Sequence, residues 1–311
     1  MYRHTPVMLK EAMQYLNPQP GECIIDGTLG AGGYTFEISR LVGPTGKVIA
    51  TDMDESAINN AKLKIAREGI TNIVLVHANF RELTQLAEAT NIRPAGLVLD
   101  LGLSSAQLDD QSRGFSFQTD SPLSMAFGSV VSDRRTEGLV NLKPLAELTA
   151  IIRDLGEEHY AYKIAQSIVA KRRVAPITTT KQLVDAIAEV VPASYKRMKI
   201  HFATRTFQAF RIATNKELEN LTEVLKEAKQ VLSPGARIVI VSFHSLEDRI
   251  VKHFFRQEAR DCICPPKLPV CACNHRAWLK PLTKKAIMAT SEEIANNPRS
   301  RSAKLRAAQL L

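Results

Sequence analysis

The stretch Cys23-Ile24-Ile25-Asp26-Gly27-Thr28-Leu29-Gly30-Ala31-Gly32-Gly33 decides the fold, and the apolar run Val48-Ile49-Ala50-Thr51, which stops on Asp52, completes the pattern. An apolar strand ends on an acid and runs into a glycine-rich turn, and a helical segment then leads to a second strand that ends on a carboxylate. Glycines let the backbone turn sharply and approach a ligand that a Cβ atom would exclude. A carboxylate after the second strand is placed to accept hydrogen bonds from ribose hydroxyls. The pattern therefore predicts a site for a nucleotide-type cofactor.

Details of the turn favour one cofactor over another. A dinucleotide-binding turn reads G-x-G-x-x-G and holds a pyrophosphate at a helix N-terminus. Here Gly30-Ala31-Gly32 supplies G-x-G, but Thr35 stands at the third glycine position, and Asp26 would repel a phosphate and attract an ammonium group. S-adenosylmethionine (SAM) has an amino-acid end, a ribose and an adenine but no phosphate, so the turn favours SAM over NAD; a turn without a ligand is the alternative. The candidate cofactor-binding residues are Asp26, Gly30, Gly32, Gly33 and Asp52.

Composition bounds the class of protein. A chain of 311 residues can bury a sizeable core in one large or two smaller domains, and 45% hydrophobic and 23% charged residues are ordinary for a soluble globular protein. No run is long enough to span a membrane and the first residues do not begin a signal peptide, so a cytoplasmic location is expected. The odd count of five cysteines argues against a disulfide framework. A net charge of +9 indicates a polyanionic partner such as nucleic acid, although a basic balance also occurs in proteins that bind no polyanion.

Short apolar segments alternate with helical ones over the first hundred residues. Strands are expected near 22–26, 47–52, 73–77 and 96–101, and helices at about 34–42, 55–68 and 80–89. Such alternation predicts right-handed βαβ units and a parallel sheet that is covered on both faces. Ligands bind at the carboxyl ends of such strands, where the sequence places Asp26, Asp52, the segment 77–80 and Asp100.

After Asp100 the alternation stops. A loop-rich stretch and three helical patterns, about 144–155, 159–172 and 180–191, precede a long helix from Thr206 to about Val231 and a strand from Arg237 to Ser242. We expect that strand to be the fifth of the same sheet. The prediction is an α/β, Rossmann-like domain formed by residues 1–108 and 205–311, interrupted by a helical insert at 109–204. Two sequential domains are the alternative, but they would leave the last strand without a sheet.

Methyl transfer is an in-line displacement that depends mainly on holding donor and acceptor together. Attack by a pyrimidine carbon would need a cysteine near the cofactor, whereas Cys23 lies inside the first strand and the other four cysteines lie near the C-terminus. A heteroatom acceptor is therefore favoured. Asp100 ends the fourth strand. A hydrogen-bond acceptor at this place could bind the N–H groups of an exocyclic amine and help to localise the lone pair of the amine nitrogen. The alternative is that Asp100 is a structural acid that caps the next helix. The candidate catalytic residues are Asp100, Ser104, Ser105 and Asp109, with Ser242 and His244 after the fifth strand, where a structural histidine is the alternative.

Five motifs that run in order along the whole chain resemble the bacterial 16S rRNA (cytidine-N4) methyltransferase family. They are His4–Leu9, Asp100–Asp109 with Arg113–Phe117, Ala203–Ala209, Ser242–Arg249 and Asn297–Arg306. The resemblance implies a class I SAM-dependent methyltransferase fold, with methylation of the N4 amine of a cytidine in the decoding region of 16S rRNA in the small ribosomal subunit. It also implies a cofactor shell of Gly32, Gly33, Tyr34, Asp52, Phe80, Asp100 and Gln107. The family usually has histidine at the position of Tyr34, and a tyrosine that keeps a ring and a polar tip is expected to preserve binding.

The C-terminal cysteines and the basic segments allow more than one interpretation. Cys262, Cys264, Cys271 and Cys273 form two C-x-C pairs that would bind Zn²⁺ tetrahedrally or remain free thiols, because C-x-C is tighter than the usual spacing. Three basic patches, at 171–173, 196–199 and in the tail from Arg299 to Arg306, make contacts to the rRNA backbone plausible, and the insert is the expected recognition module. No membrane partner is expected, and a homodimer would not be surprising.

Two other functions compete with that of an rRNA methyltransferase. One is a non-catalytic, SAM-binding RNA or ribosome-assembly factor, which the intact cofactor shell disfavours. The other is a DNA amino-methyltransferase, which predicts a Pro-Pro-aromatic motif after the fourth strand, where this chain has Asp100-Leu101-Gly102-Leu103.

Overall fold

The computed structural model describes residues 6–88, 93–104, 107–108, 110–128, 135–265 and 270–311. Contacts divide the chain into two compact units, one formed by Met1–Gly102 and Leu218–Leu311 and the other by Leu103–Glu217. The second unit is therefore an insertion in the first, and its ends differ from the predicted insert, 109–204. The second unit therefore contains the helix Thr204–Asn215, whereas the predicted boundaries place all of that helix except its first residue in the outer domain.

A single sheet forms the centre of the first unit. Its strands are β1 (Cys23–Asp26), β2 (Lys47–Asp52), β3 (Ile73–His77), β4 (Gly96–Asp100), β5 (Arg237–Ser242), β6 (Leu279–Pro281), β7 (Ile287–Met288) and β8 (Lys304–Leu310). They are ordered β3-β2-β1-β4-β5-β8-β6, with β7 also paired to β8. The first five strands are parallel, and β8 runs antiparallel between β5 and β6. Because β1 to β5 are parallel, their carboxyl ends share one edge of the sheet.

Helices cover both faces of this sheet because neighbouring residues of each strand point to opposite faces. The helices of this unit are α1 (Leu9–Leu16), α2 (Gly33–Val42), α3 (Glu55–Glu68), α4 (Leu83–Glu88), α11 (Glu217–Val231, whose first residue belongs to the second unit), α12 (Ser245–Glu258) and α13 (Ser291–Asn296). In β1, Ile25 belongs to a core with α11, while Ile24 belongs to a core with α1 and α2. No helix among the described residues is both long and apolar enough to cross a membrane.

The second unit is helical and has its own core. Its helices are α5 (Thr136–Leu142), α6 (Leu145–Ala150), α7 (Ala161–Arg172), α8 (Thr180–Val190), α9 (Ala193–Lys196) and α10 (Thr204–Asn215), and a π-helical turn, Ile151–Leu155, follows α6. The packed side chains of this core include Phe115, Leu148, Ile164, Leu183 and Phe210. A core of this kind fits an inserted unit that folds around its own apolar residues.

The long helix expected from Thr206 to Val231 is wrong in one respect, because two helices occupy that stretch. Lys216 adopts a left-handed φ of 51° and ends α10. The side-chain oxygen of Asn215 accepts a hydrogen bond from the Phe127 N–H at 2.9 Å, and its amide donates to the Met125 carbonyl at 2.8 Å. These bonds fix the end of α10 through contacts that helical periodicity does not reveal.

Candidate functional site

The glycine turn after β1 has backbone conformations that favour glycine and packs closely on the N-terminal segment. Gly30 and Gly32 have φ values of 50° and 82°, in the left-handed region. A Cβ atom on Gly32 would lie 2.3 Å from Phe36 Cε2, and one on Gly33 would lie 2.0 Å from Pro6 Cγ. Contacts this short leave no room for a side chain unless the neighbour moves. The shape of the predicted cofactor turn therefore depends on its glycines.

Asp26 is completely buried, and both of its oxygens bind groups of the turn. Oδ1 accepts a hydrogen bond from the Thr28 N–H at 3.0 Å, and Oδ2 accepts one from the Thr35 hydroxyl at 2.6 Å. Burial raises the pKa of Asp26 to about 6, the hydrogen bonds from Thr35 and Thr28 oppose the rise, and the charge of Asp52 adds to it. Because both oxygens already have donors, the contacts of Asp26 support a role in shaping the turn more than one in touching a ligand.

Asp52 ends β2 and is half-buried beside the same turn. Its Oδ2 accepts from the Gly30 N–H at 2.8 Å, and its Oδ1 accepts from the Asp54 N–H at 2.8 Å. Burial raises the pKa of this carboxyl, and the backbone donors partly offset the rise. A carboxylate oxygen has two acceptor positions, so each can take a further donor. This capacity fits the predicted contact with ribose hydroxyls.

Asp100, at the end of β4, has a buried oxygen to which no described residue donates. Its backbone N–H donates to the Thr28 hydroxyl oxygen at 2.7 Å, which ties the strand end to the glycine turn. Its Oδ1 is buried and has no hydrogen-bond partner among the described residues. Burial raises the pKa of Asp100 well above its usual range, and the charges of Asp26, Glu247 and Glu293 raise it further. A buried polar atom without a partner is costly, so this oxygen marks a place for a donor or a cation.

Tyr34 and Phe80, the two predicted ring residues of the site, differ in their surroundings. Tyr34 is only 3% exposed, and its hydroxyl donates a hydrogen bond to the Val7 carbonyl. Burial raises the pKa of Tyr34 well above its usual range. Phe80 is half-buried after β3, and a Cβ atom on Gly27 would lie 2.9 Å from its Cβ. Tyr34 thus anchors the N-terminal segment, whereas part of Phe80 remains accessible.

Ser242 and His244 follow β5 and make local contacts. The Ser242 hydroxyl donates to the Lys304 carbonyl at 3.3 Å, and Ser242 is 2% exposed. His244 caps α12, where its Nδ1 accepts from the Glu247 N–H at 3.4 Å and its Nε2 lies 3.1 Å from Glu247 Oε1. Glu247 in turn accepts from the His244 N–H, which completes a capping box. These contacts support the structural alternative for His244.

The remaining predicted catalytic and cofactor residues belong to the second unit. The Ser104 N–H donates to Gln107 Oε1 at 3.0 Å, and the Gln107 N–H donates to Ser104 Oγ at 3.2 Å. This reciprocal pair is the pattern of a helix capping box. Ser105 and Asp109 lie outside the described residues.

The four C-terminal cysteines, for which zinc binding and free thiols were the two alternatives, lie together in the loop after α12. The Sγ atoms of Cys262, Cys264, Cys271 and Cys273 are all within 4.8 Å of one another. The loop thus assembles the one complete set of thiol ligands seen in the part of the chain that the structure describes.

Sequence reasoning missed two residues that organise the site. Thr28 connects Asp26 and Asp100, and its position inside the glycine turn could have indicated this role. Glu293, in α13, accepts from the Met8 N–H at 2.6 Å and raises the pKa values of both Asp100 and Tyr34. Nothing in the sequence indicates that role, because a long stretch of chain separates Glu293 from β4.

Comparison with known proteins identifies the family. A model of the MraW methylase family matches residues 1–311. Proteins named ribosomal RNA small subunit methyltransferase H are similar along their whole length. The one from Syntrophotalea carbinolica is 44% identical over 312 residues, covering 100% of this chain and 99% of the relative. The one from Heliobacterium modesticaldum is 43% identical, covering 99% of both chains. The one from Thermomicrobium roseum is 46% identical, covering 98% of this chain and 93% of the relative.

These matches confirm the family resemblance drawn from the sequence motifs. They also confirm the predicted enzyme class and fold, a SAM-dependent methyltransferase with a Rossmann-like sheet. The chain belongs to the MraW methylase family.

Proposed function

We propose that this protein transfers a methyl group from SAM to the N4 amine of a cytidine in the decoding region of 16S rRNA. The observation that carries the proposal is the buried Oδ1 of Asp100 at the end of β4, which has no partner among the described residues. It lies in a chain of the methylase family whose curated relatives are named as methyltransferases of small-subunit rRNA. An acceptor atom at this place fits a substrate that presents N–H groups.

The charges at the strand ends fit SAM. Asp26, Asp52 and Asp100 each end a parallel strand, which places three carboxyl groups at this edge of the sheet. Glu247 and Glu293 add negative charge near Asp100. Such a set of acids disfavours a phosphate and favours the ammonium and sulfonium groups of SAM. In this site Asp52 would hold the ribose, and the glycine turn would admit the ligand beside its backbone.

Asp100 is the residue to which we assign the acceptor role in the reaction. Bound SAM supplies an electrophilic methyl group, whose transfer breaks a carbon–sulfur bond and forms a carbon–nitrogen bond as the amine loses a proton. Oδ1 of Asp100 accepts one amine N–H and so counteracts delocalisation of the lone pair into the ring. In its ionised form this carboxylate is a stronger base than an ordinary aspartate because its pKa is raised, so it can also take the released proton. Burial keeps water away from the oxygen and strengthens the interaction.

We assign the main contact with the RNA backbone to the segment 196–199 of the second unit. Lys196, Arg197 and Lys199 are exposed, as is the intervening Met198. The patch at 171–173 is less available for RNA, because Lys171 Nζ lies 2.5 Å from Glu189 and Arg172 donates to the Val140 carbonyl at 2.6 Å.

The basic tail offers fewer cations than its sequence suggests. Lys304 and Arg306 lie 3.6 and 2.6 Å from the carboxylate of Asp248, so one of their two positive charges is offset within the first unit. An rRNA substrate would place the protein in the cytoplasm, and a homodimer stays a prediction.

The decisive experiment is methyl transfer from labelled SAM to small ribosomal subunits from a strain that lacks this gene. Digestion and mass spectrometry should show N4-methylcytidine at one decoding-region site. Asp100→Asn should lower the single-turnover rate by about 100-fold or more, in the range expected for loss of a positioned acid or base. Asp52→Ala should instead weaken SAM binding, measured by calorimetry. Asp154→Asn, which changes an exposed acid of the second unit, is the matched control and should leave both quantities unchanged.

Other outcomes would redirect the proposal. SAM binding without methylation of subunits or free rRNA would indicate a non-catalytic assembly factor. An Asp100→Asn rate within about threefold of wild type would remove the acceptor role from Asp100. A triple alanine variant at Lys196, Arg197 and Lys199 should weaken RNA binding and reduce its salt dependence by about one counterion per lost contact. An unchanged salt dependence would exclude this segment from the interface.

A further inference from the structure

The loop between α12 and β6 gathers four cysteine sulfurs around one point. The Sγ separations are 3.5 Å for Cys262 and Cys271, 3.6 Å for Cys271 and Cys273, and 3.8 Å for Cys262 and Cys273. Cys264 completes the group, with all four sulfurs within 4.8 Å of one another. A Zn–S bond of about 2.3 Å places the sulfurs of a tetrahedral site about 3.8 Å apart. The spacing of this cluster is therefore that of a tetrathiolate site.

Backbone hydrogen bonds hold the two C-x-C pairs against each other. The N–H of Ile263, the middle residue of the first pair, donates to Cys273 Sγ of the second pair at 3.5 Å. The N–H of Ala272, the middle residue of the second pair, donates to Cys264 Sγ of the first pair at 3.4 Å. Donors of this kind orient metal ligands and reduce the repulsion between thiolates. The reciprocal pattern explains how C-x-C spacing brings four sulfurs together.

A pair of disulfides does not describe this arrangement. All four cysteines of the loop are free thiols. A disulfide brings two sulfurs to about 2.05 Å and separates them from other sulfurs, whereas here three sulfurs are nearly equidistant. Equal separation is what a shared central ion requires.

We propose that Cys262, Cys264, Cys271 and Cys273 bind one structural Zn²⁺ ion. Four protein thiolates fill a tetrahedral site and leave no position for water or substrate, so the ion would stabilise the fold and take no part in methyl transfer. The thiols must lose their protons on binding, and the ion with four thiolates keeps a charge of about −2. Arg260 and Arg276 flank the cluster in the sequence.

The base of the loop shows what such an ion would stabilise. Glu258, at the end of α12, accepts from Trp278 Nε1 at 2.6 Å and lies 2.9 Å from His275 Nε2. These contacts join the two ends of the loop next to β6. The structure describes residues 261–265 and 270–274 of the distal part of the loop, and most of these are exposed; Val270 has 75% of its surface accessible. Since exposed residues provide little burial energy, a metal ion is the means by which the distal part can be fixed.

Metal analysis of the full chain, purified under reducing conditions without an affinity tag, tests the proposal. We expect inductively coupled plasma mass spectrometry to show about one zinc ion per chain, in keeping with one tetrahedral site. Cobalt exchanged into the protein should show the absorption of a tetrahedral tetrathiolate complex. Cys262→Ser and Cys273→Ser should each lower zinc content at least tenfold. Cys23→Ala, at the buried cysteine of β1, is the matched control and should retain the metal.

Three results would overturn the assignment. They are a wild-type chain that binds less than about a tenth of an equivalent of supplied zinc, cluster variants that keep their zinc, or intact disulfides in protein prepared without air. A separate readout covers variants that fold poorly. Removal of metal from the wild type should accelerate tryptic cleavage at Arg260 and Arg276 at least tenfold, and cleavage that is unaffected by metal removal contradicts a structural ion.

Discussion

Replacement of Asp26 by asparagine tests the electrostatics of the cofactor turn directly. The carboxyl is completely buried, and its pKa of about 6 lies above its ordinary value of 3.8 chiefly because of burial. Between about pH 4 and pH 6, Asp26 therefore holds a proton in the folded protein that the unfolded chain has already released. The stability that this proton provides is fully present below about pH 3.8 and is lost as the pH rises through about 6.

The magnitude follows from the two pKa values. The difference between about 6 and 3.8 corresponds to about 3 kcal/mol of unfolding free energy over the whole titration. Between about pH 5 and about pH 7.5 the linkage relation gives a loss of about 1.4 kcal/mol. Asparagine is isosteric and keeps both hydrogen bonds, because Oδ1 accepts from Thr28 and the new amide donates to the Thr35 hydroxyl. Asp26→Asn should therefore gain about 1.4 kcal/mol relative to wild type over this pH interval.

The assay is urea unfolding of cofactor-free protein followed by tryptophan fluorescence. Trp278 is the only tryptophan of the chain and lies in the first unit, so its emission reports on the unit that contains Asp26. Asp154→Asn in the second unit is the control and should show no pH-dependent difference from wild type. Loss of the Asp26 charge also relieves Asp52 and Asp100, which adds to the gain with the same sign. A difference between Asp26→Asn and wild type that is equal at both pH values, within about 0.3 kcal/mol, would refute the reasoning.

Three further substitutions test other contacts. Gly33→Ala should destabilise the first unit by about 1–3 kcal/mol, because the new Cβ would lie 2.0 Å from Pro6 Cγ. Calorimetry should also show weaker SAM binding. Unchanged stability would mean that Pro6 moves freely. Asp248→Asn should lower the free energy of unfolding by about 2 kcal/mol, because the Arg306 guanidinium, which is 11% exposed, loses its charged partner. The same fluorescence assay measures this change, and an unchanged free energy of unfolding would contradict the pairing. Thr179→Ala removes the capping box of α8 and should lower the stability of that helix by about 1 kcal/mol. Hydrogen exchange in α8 measures the change, and unaltered exchange would argue against the cap.

The sequence was sufficient to predict the parallel part of the sheet and the acids at its edge. Strands β1, β2, β4 and β5 are short runs of Val, Ile and Leu that are buried on both faces, and such runs contrast sharply with the amphipathic helices between them. Asp26, Asp52 and Asp100 were found because each acid follows such a run directly. Strong local contrast is the reason that this part of the fold can be read from a single sequence.

The C-terminal strands were missed because their signal is local and weak. Residues 299–306 read as a basic tail, yet β8 begins at Lys304 and lies between β5 and β6. Arg306 is tolerated inside this sheet because Asp248 of α12 accepts from its Nε at 2.6 Å. That ion pair joins residues that are far apart in the chain, and no periodicity in the sequence predicts it. The role of Glu293 was missed for the same reason, because its effect on the pKa of Asp100 exists only in the folded protein.

The surroundings of Asp100 connect the stability of the protein with its function. A buried carboxyl oxygen that has no donor among the described residues, and that faces the charges of Asp26, Glu247 and Glu293, destabilises the cofactor-free fold. A sequence selected for stability alone would place an apolar residue or a hydrogen-bond donor there. The arrangement becomes favourable once a ligand brings positive charge and N–H groups to these oxygens, because the attraction is strong where water is excluded. Local rules for a stable core thus fail at the position where we place the chemistry, which is where such failures are expected in an enzyme.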